Sequence, residues 1–143
     1  MIIEGEISKG HQIASGQSKT GHQGLNNTIA LQRPFFEKQV SGFSEVFNGT
    51  LNISIAPHEF KILKPDHEVT CEWHPGVTET FWLVAVHIFH KEKSYKGFIY
   101  YPLPSQVKSH ADTTIEILAP KIEAAVYGDR VRIEVSPEKI EVV

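Results

Sequence analysis

The run from Thr80 to His90, Thr-Phe-Trp-Leu-Val-Ala-Val-His-Ile-Phe-His, constrains this chain more than any other stretch. Successive side chains of a strand point to opposite faces, and here both alternating sets are largely apolar. A strand over these residues therefore needs cover on both faces along part of its length. It reads as a central strand. The remainder of the chain offers mostly short strands to surround it: Ile2 to Ile7, Thr28 to Leu31, Gly49 to Ile55, Glu68 to Trp73, Gly97 to Tyr101, Thr113 to Leu118, Val131 to Val135 and Lys139 to Val142. Glycine, proline or polar turn residues bound them. Only Pro34 to Val40 reads as a helix, with proline in its first turn, Phe36 and Val40 on its buried face and Gly42 to stop it. Lys61 to Asp66 reads as a connector and Lys91 to Lys96 as a hairpin turn. His74-Pro75-Gly76 and Tyr127-Gly128-Asp129-Arg130 read as tight turns, and Ser105 to Asp112 as a polar stretch with room for one helical turn. Many short strands with one brief helix predict an all-β or mainly β fold, a small closed or partly closed β-barrel.

Composition narrows the function classes. A chain of 143 residues, 41% of them hydrophobic, suits one domain over residues 1–143 that buries roughly two thirds of its unfolded surface. The lone Cys71 has no internal disulfide partner, and the first residues carry neither a basic region nor a long apolar run. Both point to a cytoplasmic protein. No stretch approaches the ~20 apolar residues of a membrane span. A formal charge of −3 gives no general pull toward nucleic acid, which leaves small molecules as the expected partners.

Two stretches carry candidate chemistry. In Asn48-Gly49-Thr50-Leu51-Asn52, Thr50 and Asn52 are two residues apart and share one strand face. A hydroxyl and an amide carbonyl suit a hard cation such as Mg²⁺ that keeps most of its shell on phosphates and water; the same pattern also suits an ordinary strand with solvent-facing polar residues. From Ser8 to Thr28 the apolar periodicity stops. Gly10, Gly16 and Gly21, with Gly24 and with Lys9 or Lys19, would let backbone N–H groups and a cation wrap a phosphate chain, or would simply make a surface loop. The order Gly16-Gln17-Ser18-Lys19-Thr20-Gly21 is not that of a P-loop. The eight histidines invite a metal reading of His67 with His74, or of His87 with His90, though the last two are three apart and so face opposite ways on a strand; scattered core or surface histidines are the commoner case. Ser109, His110 and Asp112 are neighbours rather than a triad, and no Gly-x-Ser-x-Gly elbow occurs. Glu116 stands inside the apolar pattern Ile115, Ile117, Leu118 and must face away from its immediate neighbours. Trp73, Trp82, Tyr100 and Tyr101 would stack a flat ring or fill a core.

Taken in order, Ile2-Ile3-Glu4-Gly5-Glu6-Ile7, then Gly49-Thr50-Leu51-Asn52 after a short helix, then Ile115-Glu116-Ile117-Leu118-Ala119-Pro120, then Gly128-Asp129 before a Val-x-Ile strand, the chain resembles the archaeal-type CTP-dependent riboflavin kinases. The resemblance spans nearly the whole chain. It implies a cradle-loop β-barrel that transfers a phosphoryl group from a nucleoside triphosphate, CTP in that family, to riboflavin, giving FMN. It also implies that Thr50 and Asn52 hold Mg²⁺ against the nucleotide phosphates. Glu116 would hydrogen-bond the flavin, with His110 six positions before it and Lys108 where that family usually places a threonine on the flavin. The nucleotide-facing stretches differ from the family pattern: its compact glycine-rich loop is replaced by the longer Ser8 to Thr28 segment, where Gly10, Gly16, Lys19 and Gly21 are the candidates. Its Leu-Arg segment is replaced by the shorter Lys121 to Tyr127, where Lys121 is the candidate. No catalytic base is assigned. Beside the kinase stand two alternatives, a barrel that binds a flavin or another small ligand without phosphorylating it, and an interaction module that keeps the fold. Neither the donor nucleotide nor the oligomeric state is set by the sequence.

Overall fold

The computed structural model describes residues 1–8, 28–47, 49–103 and 112–143. Its elements are β1 (Ile2–Ser8), α1 (Thr28–Glu37), a 3₁₀ turn (Phe43–Glu45), β2 (Leu51–Ser54), β3 (Phe60–Ile62), β4 (His67–His74), β5 (Val77–His90), β6 (Lys93–Leu103), β7 (Thr114–Leu118), β8 (Arg130–Glu134) and β9 (Ile140–Val142). The main sheet runs β4-β5-β6-β7-β2-β1-β8, and β8 pairs back onto β5. Strands β5, β6, β7, β2, β1 and β8 thus close an antiparallel ring, with β4 as an extra strand on β5. The mainly β, barrel-like expectation is met. Among the described residues no helix is long and apolar enough to cross a membrane.

Strand β5 makes the closure possible, and its length explains how. One edge pairs with β6 over eleven residues, from Thr80 opposite Leu103 to His90 opposite Lys93. The other edge is shared: residues Val77 to Leu83 pair with β4, and His87 to Phe89 pair with β8. Between the two partners the ladder breaks, and Asp66 fills the break. Its backbone N–H donates to Leu83 O at 2.9 Å, and its carboxylate accepts the Ala85 N–H at 2.8 Å and the Lys139 ammonium at 2.8 Å. Burial alone would raise the Asp66 carboxyl, but the hydrogen bonds from Lys139 and from the Ala85 N–H, with the Lys139 charge, hold it below the usual range.

Two apolar clusters lie on either side of this sheet. Inside the ring, Ile3, Ile7, Ile53, Ile88, Ile99, Ile115, Ile117 and Ile133 interlock, with Val84 and Val131 among them. On the outer side Phe36, Phe43, Phe81, Tyr100, Trp73 and Leu118 pack together under α1. Leu83 and Val84, adjacent in β5, are both 0% exposed and belong to different clusters. This is the two-sided cover that the sequence of β5 demands.

Three elements differ from expectation. Thr28 to Leu31 is the first turn of α1 and not a strand, and Pro34 lies inside that helix and does not open it. A run of four apolar and β-branched residues is too short for its period to tell helix from strand. The helical face is Ile29, Gln32, Phe36 and Val40, and its second member is polar, 2% exposed, with its Oε1 accepting the Tyr100 hydroxyl at 2.8 Å. The Val40 N–H still reaches Phe36 O at 2.9 Å, so Phe36 and Val40 do share a buried face. Lys61 and Ile62 are not part of a connector but of β3, which pairs with β9. The hairpin between β5 and β6 is tighter than predicted, turning at Lys91 and Glu92 with Lys91 at φ 56°. Most of Ser105 to Asp112 lies outside the described residues.

Candidate functional site

At one end of the ring β1 finishes, β2 begins and β7 finishes, and a cavity of about 450 Å³ opens there. That volume is within the range of small-molecule sites. Its floor is apolar, made by Ile7 and Ile117 of the ring interior and by Ile122. One wall is the start of β2, with Gly49, Thr50 and Asn52; the other is the link between β7 and β8, from Ala119 to Tyr127. The two walls are tied by the Phe47 N–H, which donates to Ala119 O at 2.9 Å. Arg33 of α1 fixes the approach to the first wall, donating to the carbonyls of Phe43 and Val46 while its Nε pairs with Glu37 at 2.7 Å.

Thr50 and Asn52 meet at this cavity. The Thr50 hydroxyl donates to Asn52 Oδ1 at 3.3 Å, and Asn52 is only 5% exposed. An octahedral Mg²⁺ with bonds of about 2.1 Å places neighbouring oxygens roughly 3 Å apart. The two side-chain oxygens fit adjacent positions of such a shell. Among the described residues lining the cavity there is one charged side chain, Lys121, and no carboxylate. The charge balance favours an anion, and it leaves a cation to draw its counter-charge from the ligand. Among the described residues no group of three or more His, Cys, Asp or Glu is placed to hold a metal by itself.

Glu116 stands directly opposite Asn52 in the β2–β7 pairing, so both side chains project from the same face. That face is the outer one: Ile115 and Ile117 point into the ring, while Glu116 is half-buried on the side of Leu118 and Tyr100. It does not line the cavity itself. Its proximity to Tyr100 is visible in the phenol, whose ionisation is pushed well above the usual range by full burial first and by the charges of Glu116 and Glu79 next, partly offset by the bond to Gln32. Ser8 is the partner of Asn52 on β1 and also lines the cavity. Ser8, Asn52 and Glu116 therefore form one polar row across three strands, and the segment carrying Gly10, Gly16, Lys19 and Gly21 leaves the described residues at Ser8. Those four residues, with Lys108 and His110, lie outside the described residues. No protein-family model matches the chain, and no curated protein matches it.

Sequence reasoning missed the cavity's rim. Phe47, Val126 and Tyr127 line it and are 46%, 62% and 60% exposed, which is unusual for large apolar side chains gathered at one place. The Lys121 ammonium sits over the Phe47 ring, 5.7 Å from its centroid, a cation–π contact joining the two walls. The signal in the sequence was Ala124-Ala125-Val126-Tyr127, an apolar run in a link that forms no strand. Of the histidine pairs, His87 is exposed and His90 is 2% exposed, so they do face opposite ways.

Proposed function

We propose that this protein is a riboflavin kinase-like phosphotransferase, which moves a phosphoryl group from a nucleoside triphosphate, CTP by resemblance, to riboflavin and so makes FMN. The observation that carries the reading is the convergence of the Thr50 and Asn52 side-chain oxygens, 3.3 Å apart, at the mouth of an apolar cavity whose one charged lining residue among those described is Lys121. Phosphoryl transfer asks mainly for positioning and charge neutralisation. In this reading Thr50 and Asn52 hold Mg²⁺, which when bound neutralises charge on the phosphates. Lys121 attracts the phosphate chain, with Gly10, Gly16, Lys19 and Gly21 completing its cradle. Ile7, Ile117 and Ile122 keep water from the buried end of the ligand. Glu116, with Lys108 and His110, orients the flavin.

The test is conversion of riboflavin to FMN with CTP, ATP, GTP and UTP in turn, with and without Mg²⁺. Activity with one donor, lost on chelation and reduced about a hundredfold or more in folded Thr50→Ala and Asn52→Ala variants, is the expected result, on the scale of removing one preorganised charge-stabilising group. Absence of FMN with every nucleotide would sink the kinase reading.

The exposed Phe47 and Tyr127 beside an apolar floor favour a second reading, a barrel that binds a flavin or another flat ligand without turnover. It predicts quenching of riboflavin fluorescence by the protein in the absence of any nucleotide, with no FMN formed when nucleotide is added.

A further inference from the structure

His90 is the last residue of β5, and its side chain is 3% exposed, on the same face as the buried Val84, Val86 and Ile88. A buried imidazole needs a hydrogen-bond partner, and its Nε2 has one in Asp129 Oδ2 at 2.8 Å. Asp129 belongs to the turn before β8, and it does more than satisfy the histidine. The same carboxylate oxygen accepts the Val126 N–H at 3.2 Å, and the Asp129 N–H returns to Val126 O at 3.1 Å. On the other side the Asp129 carbonyl accepts the Ile7 N–H and the Gly128 N–H donates to Ile7 O, both at 2.8 Å. Gly128, at φ +97°, supplies the backbone shape that lets both bonds form. The turn is thus clamped between β1 and a side chain reaching it from β5. Val126, Tyr127 and Ile7 all line the cavity, whereas His90 does not.

We propose that His90 and Asp129 are a positioning pair that fixes the Val126-Tyr127 rim of the cavity, so that ligand affinity there depends on a histidine remote from the ligand. The ligand part rests on the reading of the cavity as a flavin and nucleotide site; the rim part does not. Without the His90 donor the Asp129 carboxylate loses the side-chain anchor that reaches it from β5, and solvent competes for it. The Val126 N–H then opens with it, while the ring, held by its own ladders, stays closed. The charged groups next to the pair include Lys91 in the adjoining turn, whose charge acts on Asp129, Lys93 opposite His90 in the hairpin, and Arg130, which follows Asp129 and opens β8. None of them replaces the buried donor.

Amide hydrogen exchange on the full chain decides the matter. In His90→Ala, exchange at Val126 and Gly128 should accelerate at least tenfold, while Ile99 and Ile117 in the ring stay within twofold of wild type. His90→Gln, whose amide can donate from a similar position, should restore protection. If His90→Ala does not fold, Asp129→Ala removes the oxygen that accepts from both His90 and Val126 and gives the same readout. Unchanged Val126 and Gly128, or acceleration that Ile99 and Ile117 share equally, overturns the proposal. Riboflavin titrated by fluorescence should bind His90→Ala at least fivefold more weakly than wild type, with His90→Gln near wild type; equal affinities would overturn the positioning role. A wild type that does not bind riboflavin sinks the flavin reading of the cavity, and the exchange result still decides the clamp.

Discussion

The two sides of the ring are packed by different chemistry. The interior is almost wholly aliphatic and β-branched, dominated by isoleucine and valine. The outer side under α1 is aromatic: Phe36 meets Phe43, Phe81 and Tyr100 edge-on at centroid distances of 5.4, 5.3 and 6.3 Å, and Phe81 stacks on Tyr100 at 5.4 Å. A narrow ring has room for short branched side chains from every strand, which also suit extended backbone. A helix laid on a sheet leaves a wider gap that large flat rings fill, and the helix can bring a polar atom, here Gln32 Oε1, to the buried Tyr100 hydroxyl. The candidate site lies where the two sides meet. Its floor is interior isoleucine, and its polar row is on the outer face.

Substitutions that unbalance these two sides should differ in size. Phe36→Ala removes the hub of the aromatic side and is expected to cost about 3–5 kcal/mol of unfolding free energy. Ile133→Val inside the ring should cost only about 0.5–1.5 kcal/mol, so paired denaturant titrations that find equal losses would break the contrast. Gly97→Ala tests how tight the interior is. A methyl there would come within 2.7 Å of Leu118 O and 2.9 Å of Ile88 Cδ1, and overpacking of this kind costs about 1–3 kcal/mol.

Tyr100→Phe probes the polar atom on the outer side. It leaves Gln32 Oε1 without its donor and should cost about 1–3 kcal/mol at neutral pH. Its pH signature is the sharper reading. The folded-state ionisation of Tyr100 is raised, so its contribution is whole below the unfolded value of about 10 and is lost as pH rises past it. The buried Cys71 thiol, pushed up to about 11 by burial and by the Glu79 charge, adds a loss on the same alkaline side. Wild type should therefore weaken above about pH 10, and Tyr100→Phe should show a flatter alkaline limb in pH-dependent thermal melts.

Asp66 gives the smallest and opposite effect. Its carboxyl is lowered in the folded chain, so its contribution is whole above the unfolded value of about 4 and is lost as pH falls through the folded one. Asp66→Asn should flatten the acid limb below about pH 4. An unchanged acid limb would mean that the junction of β4, β5 and β8 does not rest on that charge.

Much of the strand content was readable because alternation is local. Val69, Cys71 and Trp73 are buried in β4 with exposed residues between them, and the turns at Gly76 and Gly128 fall where the glycines stand. The helix was misread because its face is completed by Gln32, whose burial depends on a tyrosine 68 residues away. At the site, the shared face of Thr50 and Asn52 follows from their spacing. Their approach to Lys121 and to the apolar rim does not, since Phe47 and Tyr127 reach the cavity from separate links.

By itself, then, the sequence determined a mainly β chain built round one strand that must be covered on both faces, with two neutral oxygen-bearing side chains spaced to share one side of the chain at the start of another strand. Those are consequences of residue type and of a period of two. Only the tertiary structure decided that the sheet closes through β5 and β8, that Glu116 stands opposite Asn52 on the outer face, and that His90 reaches the turn carrying the cavity's rim. Each of these depends on the register of strands far apart in the chain, where a shift of one residue would turn every side chain to the other face.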